Sequence, residues 1–164
     1  MPATYEPIAT QTLGSAVASV TFSSISGAYT DLILVLEGKT SASDDLYLQF
    51  NADTGANYSN TTLRGNGTTA STTRGTGTSG IRLSDSSSPT TSSACLSVAQ
   101  IQNYVNATTF KTVLARSNNA STGIDAIVSL WRSTSAINSI KIYCGGASNL
   151  ATGGTFTLYG IKAA

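Results

Sequence analysis

One stretch decides the fold, Thr30-Asp31-Leu32-Ile33-Leu34-Val35-Leu36-Glu37, the longest nearly unbroken run of large apolar residues in the chain. Gly27 and Gly38 bound this run, and it is too short for a helix of ordinary length. An apolar run between turn signals is typical of a strand buried on both faces, or of one in the middle of a sandwich. The sequence therefore predicts a central β-strand here, with shorter strands packed around it.

Shorter segments on both sides of this run alternate between apolar and polar residues, which is the pattern of a strand with one buried face. The expected strands are residues 5–13, 16–25, 46–51, 94–104, 110–116, 125–132, 140–144 and 155–162, with a loop at 117–123. No segment shows helical spacing over three turns. About eight to ten strands predict an all-β, antiparallel sandwich, with a jelly roll as the preferred form.

Three details of this sandwich can be predicted. Pro7 should lie on an edge strand or at a bulge, because proline has no N–H for a ladder. The alternation slips near Ala99, as it would at a bulge. Five large side chains are expected in the core: Phe22, Leu34, Phe50, Leu130 and Phe156.

The length of 164 residues favours a single domain over 1–164. Residues 52–93 are mostly Ser, Thr, Gly and Asn, and form a long excursion in which 60–64 and 80–84 are expected to be short strands. Within it the motifs RGNG at 64–67 and RGTG at 74–77 echo each other, and we interpret both as tight turns.

The composition excludes several classes of partner. Hydrophobic residues make up 40% of the chain and charged residues only 10%, and the net charge is +1. A nearly neutral surface with scattered basic residues offers no basic patch for nucleic acid to bind. No apolar stretch is long enough to cross a membrane, and the beginning of the sequence lacks signal-peptide features. We expect a protein kept in a cytoplasm or delivered by assembly.

The cysteines and acidic residues offer little metal or redox chemistry. Cys95 and Cys144 lie in apolar strand patterns and are interpreted as buried small hydrophobes, without a disulfide in a cytoplasmic setting. The chain has no histidine and no C-x-x-C motif, which argues against zinc. A calcium site using Asp44 and Asp53 is an alternative to solvated turn residues. No cofactor is predicted.

Catalytic motifs are equally weak. Asp53-Thr54-Gly55 matches the aspartic-protease triplet, but its polar surroundings indicate a turn that closes the strand at 46–51. Residues 75–80 fit the dinucleotide pattern G-x-G-x-x-G without the required strand and helix. A chain without histidine cannot build a Ser-His-Asp triad, and its carboxylates are isolated or point to opposite faces. The sequence predicts a protein that is not an enzyme, with a small carbohydrate-active enzyme as a third hypothesis.

Four pieces of the chain resemble the small β-structured virion proteins of tailed bacteriophages, including those of cyanobacterial hosts. The pieces are YEPIAT (5–10) with TLGS (12–15), VTFSSI (20–25) with YTDL (29–32), FNADTGANYS (50–59) and FTLYGI (156–161). Proteins of this kind serve as head decoration (cement) proteins and as tail or fibre components, often as trimers. The resemblance implies a virion protein assembled in the host cytoplasm and leaves its place on the head or the tail open; the outer capsid surface is the preferred location.

The leading hypothesis is a capsid decoration protein, a non-enzymatic homotrimer that clamps subunits of the major capsid protein, with neither nucleic acid nor membrane as partner. Residues 1–14 are interpreted as a possible docking arm, and Arg64 and Arg74 as loop contacts, the alternatives being an edge strand and solvated loops. The arm residues expected to touch the partner are Tyr5, Pro7 and Ile8. The runner-up is a tail-fibre or receptor-binding module, with Tyr47, Tyr58 and Trp131 as candidate sugar-stacking aromatics or else ordinary aromatics.

Overall fold

This computed structural model describes residues 4–162, which form twelve β-strands joined by turns and loops. The strands are β1 (Tyr5–Thr12), β2 (Ser19–Phe22), β3 (Asp31–Gly38), β4 (Leu46–Phe50), β5 (Tyr58–Gly65), β6 (Ala70–Thr78), β7 (Ile81–Arg82), β8 (Cys95–Ile101), β9 (Lys111–Asn119), β10 (Gly123–Trp131), β11 (Ile140–Cys144) and β12 (Thr155–Ile161). Within these residues no helix is long and apolar enough to span a bilayer.

The strands form two antiparallel sheets of unequal size. The large sheet has the order β1-β12-β3-β8-β9-β10-β5-β6, and the small sheet has the order β2-β11-β4-β7. The first five strands alternate between the sheets, since β2 and β4 belong to the small sheet while β1, β3 and β5 belong to the large one. The predicted all-β antiparallel sandwich is therefore confirmed, in a jelly-roll-like form whose eight-stranded sheet extends beyond its four-stranded partner.

The decisive stretch is strand β3, an interior strand between β12 and β8 of the large sheet. Leu32, Leu34 and Leu36 are at most 1% exposed and point to the small sheet. Ile33 and Val35 alternate with them and are half-buried on the opposite face. The strand is thus fully buried on one face and only partly covered on the other, because no strand of residues 4–162 lies over the outer face of the large sheet.

The core lies between the two sheets and contains four of the five predicted residues. Phe22, Leu34, Phe50 and Phe156 are buried. Leu130 is a wrong prediction, because the phase of β10 turns Trp131 inward and leaves Leu130 half-buried on the outer face. The Trp131 ring packs against Phe50 with 5.4 Å between ring centroids.

The two predicted irregularities have different outcomes. Pro7 lies in the edge strand β1, where the register against β12 shifts between Pro7 and Ala9, so both features expected of proline are present. No bulge occurs at Ala99, because β8 keeps an unbroken register with β3 and with β9. The alternation of small residues on β8 misled the interpretation: Ser97 and Ala99 both face inward and are buried.

The polar excursion at 52–93 contains more strand than the sequence indicates. Residues 58–65 and 70–78 form the hairpin β5–β6 at the edge of the large sheet, and β7 covers only two residues of the expected strand at 80–84. The first RGNG motif does enter the hairpin turn, where Asn66 Oδ1 accepts the N–H groups of Thr68 and Thr69. The second motif is not a turn: Arg74–Gly77 lies inside β6.

The loop expected at 117–123 is shorter than predicted. Strand β9 continues to Asn119 and β10 begins at Gly123, so only three residues lie between them. Asn118 and Asn119 are polar strand residues here, because β9 and β10 pair along their full length. Composition alone therefore placed the turn correctly and overestimated its extent.

Candidate functional site

The outer face of the large sheet carries most of the large apolar side chains that the sandwich leaves exposed. Five of them project from four neighbouring strands and are between 39% and 63% exposed: Leu63, Leu96, Leu114, Ile124 and Val128. Exposed apolar side chains scattered singly are ordinary, whereas a contiguous set on one face marks an interaction surface. We call this set, on β5, β10, β9 and β8, the apolar face.

Strand register explains why these side chains form one patch. One row of paired residues crosses all four strands. It consists of Leu63 on β5, Ala126 on β10, Arg116 on β9 and Val98 on β8. In the next rows Val128 pairs with Leu114, and Asn118 lies between Ile124 and Leu96. A shallow concavity of about 690 Å³ follows the rows that contain Leu63 and Ile124.

Charged residues lie at the edges of the apolar face, except for Arg116. Arg116 is exposed at its centre and forms no ion pair with any residue in the range 4–162. Glu37 follows Leu96 across the sheet on β3, and Arg74 lies on the edge strand β6 opposite Thr61. Both are exposed on the same outer face, so the patch has an acidic flank and a basic flank.

A second cluster gathers charges at the inner side of the hairpin β5–β6. Arg82 Nη2 lies 2.7 Å from Asp45 Oδ2, and Arg82 also pairs with Asp85. Arg64 Nη1 lies 2.7 Å from the other oxygen of Asp85. Partial burial raises the pKa of Asp45, against the opposing effects of the Ser88 hydroxyl and the Arg82 charge. These pairs satisfy one another, so the cluster closes the open side of the sandwich rather than presenting free charge.

Asp125 is the anchor beneath this cluster. It points inward from β10, is only 3% exposed, and accepts the backbone N–H groups of Asp85, Ser86 and Ser87 at 2.8, 3.1 and 2.9 Å. The hydroxyls of Ser87 and Ser117 donate to the same carboxylate. The carboxylate therefore fixes the segment after β7 against the large sheet. Sequence reasoning missed this role, because the three backbone donors to Asp125 lie 38 to 40 positions away and leave no local motif.

Two of the three proposed sugar-stacking aromatics are core residues. Tyr58 is fully buried and Trp131 is 2% exposed, so neither ring face is available to a ligand and that interpretation is wrong. The Trp131 indole donates to Asp53 Oδ2 at 2.7 Å, and the Tyr58 hydroxyl donates to the Asp53 carbonyl at 3.1 Å. Burial raises the pKa of Tyr58 to about 12.

Tyr47 is the one aromatic of that set at the surface. It lies on the outer side of the small sheet, 5.9 Å from the ring of Tyr143, and is half-buried. The Arg82 guanidinium lies over its ring at 5.6 Å and donates to its hydroxyl at 3.0 Å. One ring face is therefore already covered by a cation.

The residues predicted to contact a partner are placed in strands. Tyr5, Pro7 and Ile8 belong to the edge strand β1, so no free arm begins at residue 5; residues 1–3 of the expected arm lie outside the described residues. Ile8 packs partly on the core, whereas Tyr5 is 57% exposed. Arg64 and Arg74 are not in loops, and alternation places them on opposite faces of the hairpin. Contact of these residues with a partner stays a prediction.

The candidate calcium residues serve as turn anchors. Asp53 accepts hydrogen bonds from the Trp131 indole, the Asn57 side chain and the Gly55 N–H, and these bonds outweigh its slight burial and hold the pKa of Asp53 below its usual value. Asp44 accepts the Gly146 N–H. Among residues 4–162 no three His, Cys, Asp or Glu side chains converge where a metal ion could be held.

Both cysteines are buried and free, as small apolar side chains would be. Burial raises the pKa of Cys95 to about 12 and that of Cys144 to about 11. Each thiol is therefore protonated at neutral pH and shielded from reagents.

Comparison with known proteins gives no family. No protein-family model and no curated protein matches the chain. The solved structures that resemble it include the Caenorhabditis elegans galectin LEC-6, at 7% identity and a TM-score of 0.40 over 87% of this chain and 92% of that one. The alginate lyase Aly36B has 9% identity and a TM-score of 0.39 over 93% of this chain and 77% of its own. Likeness at this level carries no argument about activity, and the fold assignment rests on the strand order.

Proposed function

We propose that this chain is a structural protein of a tailed-bacteriophage virion, acting as a capsid decoration protein that bridges subunits of the major capsid protein at the outer surface. The observation that carries the proposal is the apolar face. A contiguous apolar sheet surface with little charge is suited to permanent contact with another protein. The four sequence pieces that resemble virion proteins are the reason for proposing that this contact is made in a bacteriophage particle.

The arrangement of the chain supports assembly rather than chemistry. The charged groups nearest to one another, Arg64, Arg82, Asp45 and Asp85, pair among themselves, and Asp125 is occupied by five donors. The exposed surface is instead hydroxyl-rich and apolar. In this proposal the edge strand β1, with Tyr5 and Pro7 exposed, contacts the capsid, and the protein has no catalytic role.

A tail-fibre or receptor-binding module of the same virion is the second candidate. The surface pair Tyr47 and Tyr143 favours it, because adjacent half-buried aromatic rings are one way to hold a sugar. The burial of Tyr58 and Trp131 removes the wider aromatic platform that this reading needs. The decoration role therefore stands first.

The two roles differ in copy number, which quantitative mass spectrometry of purified particles measures against the major capsid protein. We expect a ratio near one to one for a decoration protein on every capsid site. A ratio of a few copies per particle would refute decoration and support the tail module. Absence of the chain from particles would refute both.

A further inference from the structure

We infer that the apolar face binds the apolar face of a second copy of this chain, about a two-fold axis that runs along the strands between β9 and β10. The inference rests on the proposed assembly role of this face and names its partner. It makes the basic unit of assembly a dimer, which differs from the trimer that the resemblance implies.

The first argument is the symmetry of the apolar residues. In the sheet order, β8 and β9 lie on one side of the inferred axis, and β10 and β5 lie on the other. The two-fold rotation places β9 over β10 and β8 over β5. Leu114 of one copy then meets the strand of Val128, and Leu96 meets the strand of Leu63. Such a surface is complementary to itself, as an isologous interface requires.

The second argument is the register of the rows. A two-fold axis along the strands does not shift residues along them, so each row of one copy lies over the same row of the other. Leu63 of one copy therefore faces Val98 of the other, and this apolar contact occurs twice in the dimer.

The third argument is area. Six strands, from β3 to β6 in the sheet order, overlap in this arrangement. With strands about 4.8 Å apart and about 3.3 Å per residue, their face is about 700 Å² per copy. The total of about 1,400 Å² falls within the range of stable protein interfaces. Strands β12 and β1 project beyond the overlap, so Pro7 stays accessible for the capsid contact, whereas Tyr5 lines a concavity with Val98 and Leu114 at the border of the overlap.

The charge of Arg116 opposes the dimer, and its removal provides a further test of the inference. Arg116 lies next to the axis on β9, so the two Arg116 side chains approach each other across the interface. Removing the charge should tighten self-association, and Arg116→Gln is expected to lower the dissociation constant several-fold. A partner with an acidic group at this point would instead bind the Arg116→Gln variant more weakly.

The experiment is sedimentation equilibrium of the purified chain over a concentration series, with exposed residues substituted so that folding is spared. The wild-type chain should be dimeric. Val128→Glu places a charge in the apolar face and should raise the dissociation constant at least 100-fold, whereas Phe110→Glu, at a side chain of similar exposure outside the strands, should leave it unchanged. Far-ultraviolet circular dichroism confirms that each variant is folded.

The geometry has its own test in the facing pair Leu63 and Val98. Leu63→Glu and Val98→Lys should each weaken the dimer about tenfold, and the double variant should restore it, because the two-fold axis brings the new opposite charges face to face. A double variant as weak as the singles would overturn the two-fold arrangement. A wild-type monomer at 100 μM, a trimer, or a dimer unaffected by Val128→Glu would overturn the inference as a whole.

These outcomes are independent of the fate of the proposed function. A dimer that depends on Val128 in a chain absent from particles would uphold the inference and refute the virion role. A chain that is monomeric in solution and abundant on particles would refute the inference and leave the decoration role standing.

Discussion

Replacing Asp125 by asparagine tests the account of how the segment after β7 is held. The carboxylate is 3% exposed and accepts three backbone N–H groups, at 2.8, 2.9 and 3.1 Å, together with two hydroxyls. Asparagine keeps one acceptor oxygen and turns an amide NH2 group toward a donor. At least one N–H of the three is then left without a partner in a site closed to water.

The magnitude follows from the loss of charge and of one acceptor. Hydrogen bonds to a charged group contribute about 1.5–3 kcal/mol each and neutral ones about 0.5–1.5 kcal/mol, so three backbone bonds lose roughly 3 kcal/mol. The stranded N–H adds about 1–3 kcal/mol, and relief of the buried charge offsets part of it. We expect a net loss of about 3–4 kcal/mol, which corresponds to a fall in Tm of about 6–16 °C for a chain of this size.

The control is Asp31→Asn, the same change at a more exposed carboxylate that accepts one backbone N–H, from Asn103 at 2.8 Å. It should cost less than about 1 kcal/mol. Urea unfolding at equal protein concentration, followed by the fluorescence of the single tryptophan, gives both values. If the two variants lose the same free energy of unfolding to within about 0.5 kcal/mol, the anchoring role of Asp125 is wrong.

Three further predictions concern other sites. Hydrogen bonds hold the pKa of the Asp53 carboxyl below 3.8. The stability that this carboxylate contributes is therefore complete above pH 3.8 and is lost as the pH falls through the pKa of the folded state. Asp53→Asn should flatten the dependence of the unfolding free energy on pH in this acidic range. Cys95 and Cys144 should resist a thiol reagent at pH 8 and both react after unfolding in urea; labelling of the native chain would contradict their burial. Gly160→Ala would place a methyl 2.3 Å from the Tyr29 ring and should cost about 1–3 kcal/mol, whereas Gly14→Ala meets nothing within 4 Å and should be near neutral by the same unfolding measurement.

The sequence predicts the fold where hydrophobic alternation is long and regular. The strand at 31–38 follows from its nearly unbroken apolar run, and the core positions of β4, β11 and β12 follow from period-two alternation. The edge position of Pro7 follows from its missing N–H. The second of the two motifs, RGTG at 74–77, could not be recognised as a strand, because Gly and Thr in an edge hairpin leave no apolar signal. Leu130 was misplaced because both faces of β10 carry apolar residues, so composition could not set its phase.

The candidate surface was harder to predict than the fold. A large apolar residue in a strand looks the same whether it faces a core or an uncovered sheet face, and Val128 and Trp131 differ only in phase. Asp125 looked isolated because its donors come from a segment that only the folded chain brings near. Whether an apolar side chain is buried depends on the second layer, which is a property of the whole topology.

The position of β12 has a consequence for how the protein is made. β12 lies between β1 and β3, so strands near the two ends of the sequence pair as Tyr5 with Ile161. The large sheet therefore cannot be completed until residues 155–161 have been synthesised, and β1 lacks its partner strand until then. Closing so long a loop is slow. Its late docking makes β1 the strand most exposed to wrong pairing, a risk that the proline at position 7 reduces.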